Sequence, residues 1–126
     1  MKTAIWLLVV CLGAGYAKGQ TMARITPVEF ERKLHANPNA TILDVRTLNE
    51  YRSGHLPKAS LLDFYRSDFE TQLTKLDKTK PIFVYCAVGG RSNATVTLLG
   101  RLGFKEIYDL AGGIQSWIQA DKPIVK

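Results

Sequence analysis

Short apolar runs alternate with segments of helical spacing along nearly the whole chain, and this alternation constrains the fold more than any other feature. Ala23–Ile25 reads as a strand. Thr26 and Pro27 read as an N-cap followed by proline at the first helical position, with Glu29 in the first turn. The helix they open carries Val28, Phe30 and Leu34 to about His35, where Asn37-Pro38-Asn39 ends it. Thr41–Val45 is a buried strand, Leu48–Ser53 a helical turn closed by Gly54, and Ala59–Leu62 another strand. Asp63–Leu76 has helical spacing at Phe64, Phe69, Leu73 and Leu76. Pro81–Tyr85 is the clearest strand, followed by a glycine-bearing loop and a helix over Ser92–Leu102 capped by Gly103. Glu106–Leu110 and Gly113–Ala120 complete the series as strand and helix. Strands this short and apolar, each separated by a helix, predict an α/β fold. Its central sheet is mostly parallel, with about five strands and helices on both faces.

Length and composition narrow the setting. The 126 residues suffice for one domain, and 46% hydrophobic with 22% charged residues fits a globular chain. The net charge is +6, but the basic residues are scattered and form no run, so no nucleic-acid partner is expected. The N-terminus has its own logic. Lys2 precedes an apolar run over Ala4–Leu12, and Gly13, Ala14, Gly15, Ala17 and Gly19 follow. That order is a secretory signal peptide over 1–19, too short for a stable membrane span of roughly 20 apolar residues. The expectation is an exported, periplasmic domain over 20–126; translation from Met22 would instead give the same domain in the cytoplasm. Cleavage after Gly19 removes Lys2, Lys18 and Cys11, leaving a charge of +4 and Cys86 as the single cysteine. One thiol cannot build a disulfide framework, so the fold rests on its core and Cys86 needs another explanation.

Cys86 ends the clearest strand and opens the loop Cys86-Ala87-Val88-Gly89-Gly90-Arg91-Ser92, which runs into a helix. In parallel α/β sheets, ligands sit at such strand-to-helix junctions. Gly89 and Gly90 permit a tight bend that turns successive amides toward one centre, and the helix start adds free N–H groups and positive potential. Arg91 adds a permanent charge with planar donors. The loop therefore surrounds a nucleophilic sulfur with an anion nest. Two other readings compete: a buried structural cysteine, and a phosphatase or arsenate-handling site. The phosphatase signature has five residues between cysteine and arginine, whereas four intervene here, which makes a smaller cradle.

Three stretches together resemble the single-domain rhodaneses, a family of thiosulfate-type sulfurtransferases. Leu43-Asp44-Val45-Arg46, Glu50-Tyr51 and Gly54-His55-Leu56-Pro57-Lys58-Ala59 are similar to the family's first signature. Cys86 to Ser92 is similar to its active loop, and Gly103-Phe104 through Leu110-Ala111-Gly112-Gly113-Ile114 and Trp117 to its C-terminal signature. With the export signal, the resemblance is to small periplasmic rhodaneses. It implies a rhodanese-like fold and a cycle in which Cys86 takes sulfane sulfur from a donor such as thiosulfate. Cys86 would hold it as a persulfide and pass it to a thiophilic acceptor, cyanide or a thiol. No cofactor or metal is implied beyond that covalent intermediate, and the protein is expected to act as a monomer. Amides of Ala87, Val88, Gly89, Gly90, Arg91 and Ser92 would hold the persulfide, Arg91 would close the loop and Ser92 would cap the helix.

The chain also departs from the family pattern. Thiosulfate-preferring members often carry a basic residue inside the loop, where this chain has Ala87 and Val88, and Lys58 stands where glycine is usual. Asp44 and Arg46, at a strand end beside the loop, read as a supporting pair. Glu50 reads as part of a solvated helical turn, His55 as a packing residue and His35 as a surface residue. Trp117, Ile114 and Ile118 are expected in the core. The sequons at Asn39 and Asn93 read as chance matches. A non-catalytic rhodanese-like module that binds a partner protein is the remaining alternative.

Overall fold

The computed structural model describes residues 19–126; the segment read as a signal peptide lies outside the described residues, apart from Gly19. Ten elements follow in strict alternation: β1 (Thr21–Ile25), α1 (Pro27–Ala36), β2 (Thr41–Asp44), α2 (Leu48–Ser53), β3 (Ser60–Leu61), α3 (Phe69–Leu73), β4 (Ile82–Tyr85), α4 (Gly90–Arg101), β5 (Glu106–Leu110) and α5 (Gly113–Gln119). The five strands form one sheet in the order β1-β5-β4-β2-β3. Every pairing is parallel, so all C-terminal ends lie along one edge. No helix among the described residues is long and apolar enough to cross a membrane.

The central strand β4 shows why the sheet is covered on both sides. Its four residues are all buried, and its alternate side chains enter two separate cores. Ile82 and Val84, together with Cys86, join Leu43, Phe69, Leu73, Val96, Leu99 and Ile107 on the α3/α4 face. Phe83 and Tyr85 join Phe30, Tyr108, Leu110, Ile114 and Trp117 on the α1/α5 face. Phe30 meets both Phe83 and Trp117 edge-to-face, with ring centroids 5.2 and 5.9 Å apart.

Local signals act largely as their chemistry dictates. Thr26 caps α1 by accepting from the Glu29 amide, and Pro27 occupies the first turn. Thr47 and Glu50 form a reciprocal capping box on α2.

Four expectations change. The helical spacing over Asp63–Leu76 yields a helix only at Phe69–Leu73. Before it, the Phe64 amide donates to the Val45 carbonyl and the Asp63 carboxylate accepts from the Tyr65 amide, which fixes turns instead. Phe64 and Leu76 still pack against the α3/α4 core, so the apolar spacing serves burial without continuous helix. Helix α4 begins at Gly90, with Gly89 at the N-cap, so Ser92 lies inside the first turn and does not cap it. Val28 and Ile118 face outward, 61% and 48% exposed, because the core stripes of their helices are filled by Phe30 and by Ile114 with Trp117.

Candidate active site

The C-terminal edge of the sheet gathers three connections: the loop after β2, the Cys86 loop after β4 and the Ala111–Gly113 turn after β5. Cys86 lies at the floor, 1% exposed, whereas Val88 on the rim is 64% exposed. Burial alone would equally suit a structural cysteine. The groups aimed at its sulfur are what distinguish it. The Gly89 amide donates to Sγ at 3.1 Å and the Ser92 amide at 3.4 Å, while Ser92 Oγ lies 3.5 Å from Sγ. Two of the amides expected to form the nest, Gly89 and Ser92, thus converge on the sulfur. Gly89 makes this possible with φ of 122°, a conformation that L side chains rarely adopt. Ser92 is fully buried, and its hydroxyl reaches back to the Gly89 carbonyl at 3.2 Å. The amides of Ala87, Val88, Gly90 and Arg91, expected in the same nest, make no hydrogen bond to Sγ.

Arg91 makes no hydrogen bond to the sulfur; its side chain is engaged elsewhere. Its guanidinium makes two bonds to Glu50 on α2, at 2.8 and 3.0 Å. The Arg91 hydrogen bond, with help from Thr47, holds the Glu50 carboxyl down to about 2, and Glu50 in turn raises the Arg91 pKa above its ordinary value. Glu50 therefore ties α2 to the end of the Cys86 loop, which corrects its reading as a solvated surface residue. The sequence carries a trace of this role, because the Thr47-x-x-Glu50 capping box already fixes the carboxylate in place. Tyr65, 68% exposed, lies beside the same guanidinium at 5.8 Å.

Asp44 and Arg46 form a buried ion pair outside the cradle. Arg46 Nη2 meets Asp44 Oδ2 at 2.7 Å and donates to the Gly54 carbonyl at the same distance. Tyr85 donates its hydroxyl to Asp44 at 2.7 Å and accepts from the Leu56 amide at 3.1 Å. Burial, then the Asp44 charge, pushes the Tyr85 hydroxyl far above its ordinary pKa. These contacts pin the Gly54–Leu56 turn. His55 stacks on Tyr51 at 3.7 Å and its Nδ1 meets the Tyr51 carbonyl. His35 is exposed.

The other side of the loop is held by α5. The Ile114 amide donates to the Cys86 carbonyl at 2.9 Å and the Gln115 amide to the Ala87 carbonyl at 3.2 Å. Gly113 sits so close that a Cβ there would lie 2.4 Å from the Ala87 carbonyl oxygen. The Gly-Gly pair before a helix was the sequence signal for this approach. A cavity of about 200 Å³ lies elsewhere, bounded by Leu34, Pro38, Ile42, Pro57 and Trp117, and includes no residue of the Cys86 loop.

A five-stranded parallel sheet with a cysteine loop at the end of its central strand defines the class of protein. Residues 26–120 match the rhodanese-like domain model, and the chain belongs to the rhodanese-like family. A rhodanese-related protein from Thermoplasma volcanium is 33% identical with a TM-score of 0.73, over 82% of this chain and 97% of that one. A rhodanese-like domain protein from Staphylococcus aureus is 30% identical with a TM-score of 0.66, over 76% and 91%. Among curated proteins, the tRNA uridine(34) hydroxylase of Chlamydia abortus is 36% identical over 118 residues, covering 89% of this chain. The chain spans about a third of the length of that relative.

Proposed function

We propose that this domain is a sulfurtransferase that moves sulfane sulfur from a donor such as thiosulfate to cyanide or a thiol through a Cys86 persulfide. The observation that carries this reading is the pair of amides converging on a buried sulfur at a strand-to-helix junction. The Cys86 thiolate attacks the donor's outer sulfur. An Sγ–S bond forms, the donor's S–S bond breaks, and sulfite or a thiolate leaves with the electron pair. The acceptor then attacks the terminal sulfur, the Sγ–S bond breaks, and Cys86 returns as thiolate. Fixed N–H groups stabilise the anionic sulfur at each stage without reorganisation. The cysteine carries the transferred atom itself, so neither a cofactor nor a metal enters the cycle.

Residues 1–19 are proposed as a signal peptide, which places the mature monomer in the periplasm. N-terminal sequencing of exported protein should find Gln20 first; a start at Met1 or Met22 refutes this. The enzymatic reading is tested by initial rates across a panel of sulfane donors with cyanide as acceptor. Parallel double-reciprocal lines and complete loss in Cys86→Ser support it. Turnover that survives in Cys86→Ser contradicts it. Phosphate-ester hydrolysis without sulfur transfer would favour the phosphatase-like reading instead.

A further inference from the structure

The cavity of about 200 Å³ has no part in the sulfur chemistry. It indents the α1/α5 core at the edge of the sheet opposite Cys86. Ala40 precedes β2 and Lys58 lies just before β3, so its walls gather at the N-terminal ends of strands. Leu34, Ile42, Leu56 and Trp117 make the apolar wall, each a member of that core or packed against it. The C-terminal tail closes another side through Pro123, whose carbonyl accepts from the Trp117 indole N–H at 2.8 Å. Folded interiors leave few voids larger than a water molecule, and an apolar void costs stability in proportion to its volume. An apolar cavity of about 150 Å³ holds one benzene ring, so this one has room for a single ring with a short substituent.

Polar side chains also line the cavity, and two of them are already committed. Glu31 pairs with Lys122 at 2.7 Å, and Asn37 donates its side-chain amide to the Lys33 carbonyl at 2.9 Å. Lys58 and His35 remain, one from the turn before β3 and the other from the last turn of α1. Lys58 takes part in no ion pair among the described residues. It is carried on a left-handed backbone with φ of 66°, the kind of strain that persists at ligand clamps. His35 adds a ring N–H donor. The cavity thus combines an apolar slot with a positive charge that no carboxylate of the chain answers. Charge complementarity calls for an anion on a compact apolar body.

We infer that this cavity is a binding site for a small carboxylate with a single aromatic ring. The ring occupies the space among Leu34, Ile42, Leu56 and Trp117, where aromatic and aliphatic surfaces meet it. The carboxylate stays at the mouth, where the Lys58 ammonium answers its charge and His35 offers a second donor. Binding is non-covalent and leaves the cysteine loop untouched, because no residue of that loop lines the cavity. The site therefore stands or falls independently of sulfur transfer.

The test is titration of the isotope-labelled protein with phenylacetate, followed by two-dimensional NMR. Saturable shifts should appear at the Trp117 indole N–H and at the Leu34, Ile42 and Leu56 amides, with a dissociation constant of about 1 mM or tighter. Phenylethyl alcohol, which keeps the ring and lacks the charge, should bind about fivefold more weakly, as expected for one partly solvated ion pair. Lys58→Asn removes the ammonium with a residue that tolerates the left-handed backbone, and should weaken phenylacetate by the same factor without changing the alcohol. Ala40→Leu, which fills the cavity, should abolish both. The inference is overturned if no saturable shift appears, or if the shifts fall on the Gly89–Ser92 amides instead. Equal affinity for the alcohol, or no effect of Lys58→Asn, also overturns it. Shifts at the cavity residues that follow protein concentration without any ligand would give the cavity to a second copy of the chain and overturn it too.

Discussion

Arg91 at the end of the cysteine loop and Glu50 on α2 are joined by two hydrogen bonds, 2.8 and 3.0 Å long. The loop's own cation is therefore paired with a carboxylate, and the groups hydrogen-bonded to sulfur are the Gly89 and Ser92 amides and the Ser92 hydroxyl. Glu50→Gln keeps one bond and loses the charge. Both side chains are partly exposed, so screening limits the loss to about 1 kcal/mol, measured by urea denaturation. Sulfur transfer should fall several-fold, because the end of the loop is then held to α2 by one neutral hydrogen bond in place of two charged ones.

Gly113 bears on the loop from the opposite side. Its φ is 64°, and an added Cβ would meet backbone atoms of Ala87 and Cys86 at 2.4 to 2.6 Å. Backbone cannot swing aside as a flexible side chain can. Gly113→Ala should cost about 3 kcal/mol from left-handed strain plus overpacking. Since the atoms it displaces belong to the Cys86 loop, activity should fall more than tenfold even at temperatures where the variant remains folded. Circular dichroism melts paired with turnover separate the two effects.

The alternation of strand and helix was legible because β4 is wholly apolar, Pro27 and Gly103 punctuate helices, and local propensity agrees with the tertiary fold. The cradle was legible at Cys86, Gly89 and Gly90, since two glycines between a strand and a helix permit a tight turn around the cysteine. What stayed hidden depends on pairs far apart in the chain. Glu50 looks like an ordinary helix-cap acid until Arg91 is brought across to it, 41 positions away. Asp109 looks like any polar residue of a strand until the sheet buries it beside Val84 of β4, with Arg24 of β1 as its partner. Ser92 looked like a cap because serine favours that position, but the bend at Gly89 starts the helix earlier.

Lys58 has φ of 66°, a left-handed conformation unusual for a residue with a Cβ. Glycine adopts that conformation without the steric conflict that the Lys58 Cβ meets. Lys58→Gly should raise stability by up to about 1 kcal/mol, as relief of strain outweighs the added freedom of the unfolded chain. The denaturation midpoint should rise with an unchanged slope.

Acid should weaken the fold through Glu50. Its carboxyl is held at about 2 when folded, below the ordinary value of 4.5, so its contribution is present above 4.5 and lost as pH falls toward 2. Asp109 acts in the opposite sense. Its pKa is raised by burial, so ionisation above that value costs stability and protonation in acid restores it. Between about pH 4.5 and 2, wild-type stability should therefore fall more steeply than that of Glu50→Gln, measured by urea midpoints across that range.

The central claim is that Cys86 carries sulfur. Intact-mass spectrometry of the protein after incubation with thiosulfate or an organic persulfide, followed by removal of excess donor, tests it directly. The account predicts one added sulfur atom per chain, located on Cys86 by peptide mapping, discharged by cyanide and absent in Cys86→Ser. A chain that gains no sulfur from any donor in the panel, or gains it equally after Cys86→Ser, would contradict the account.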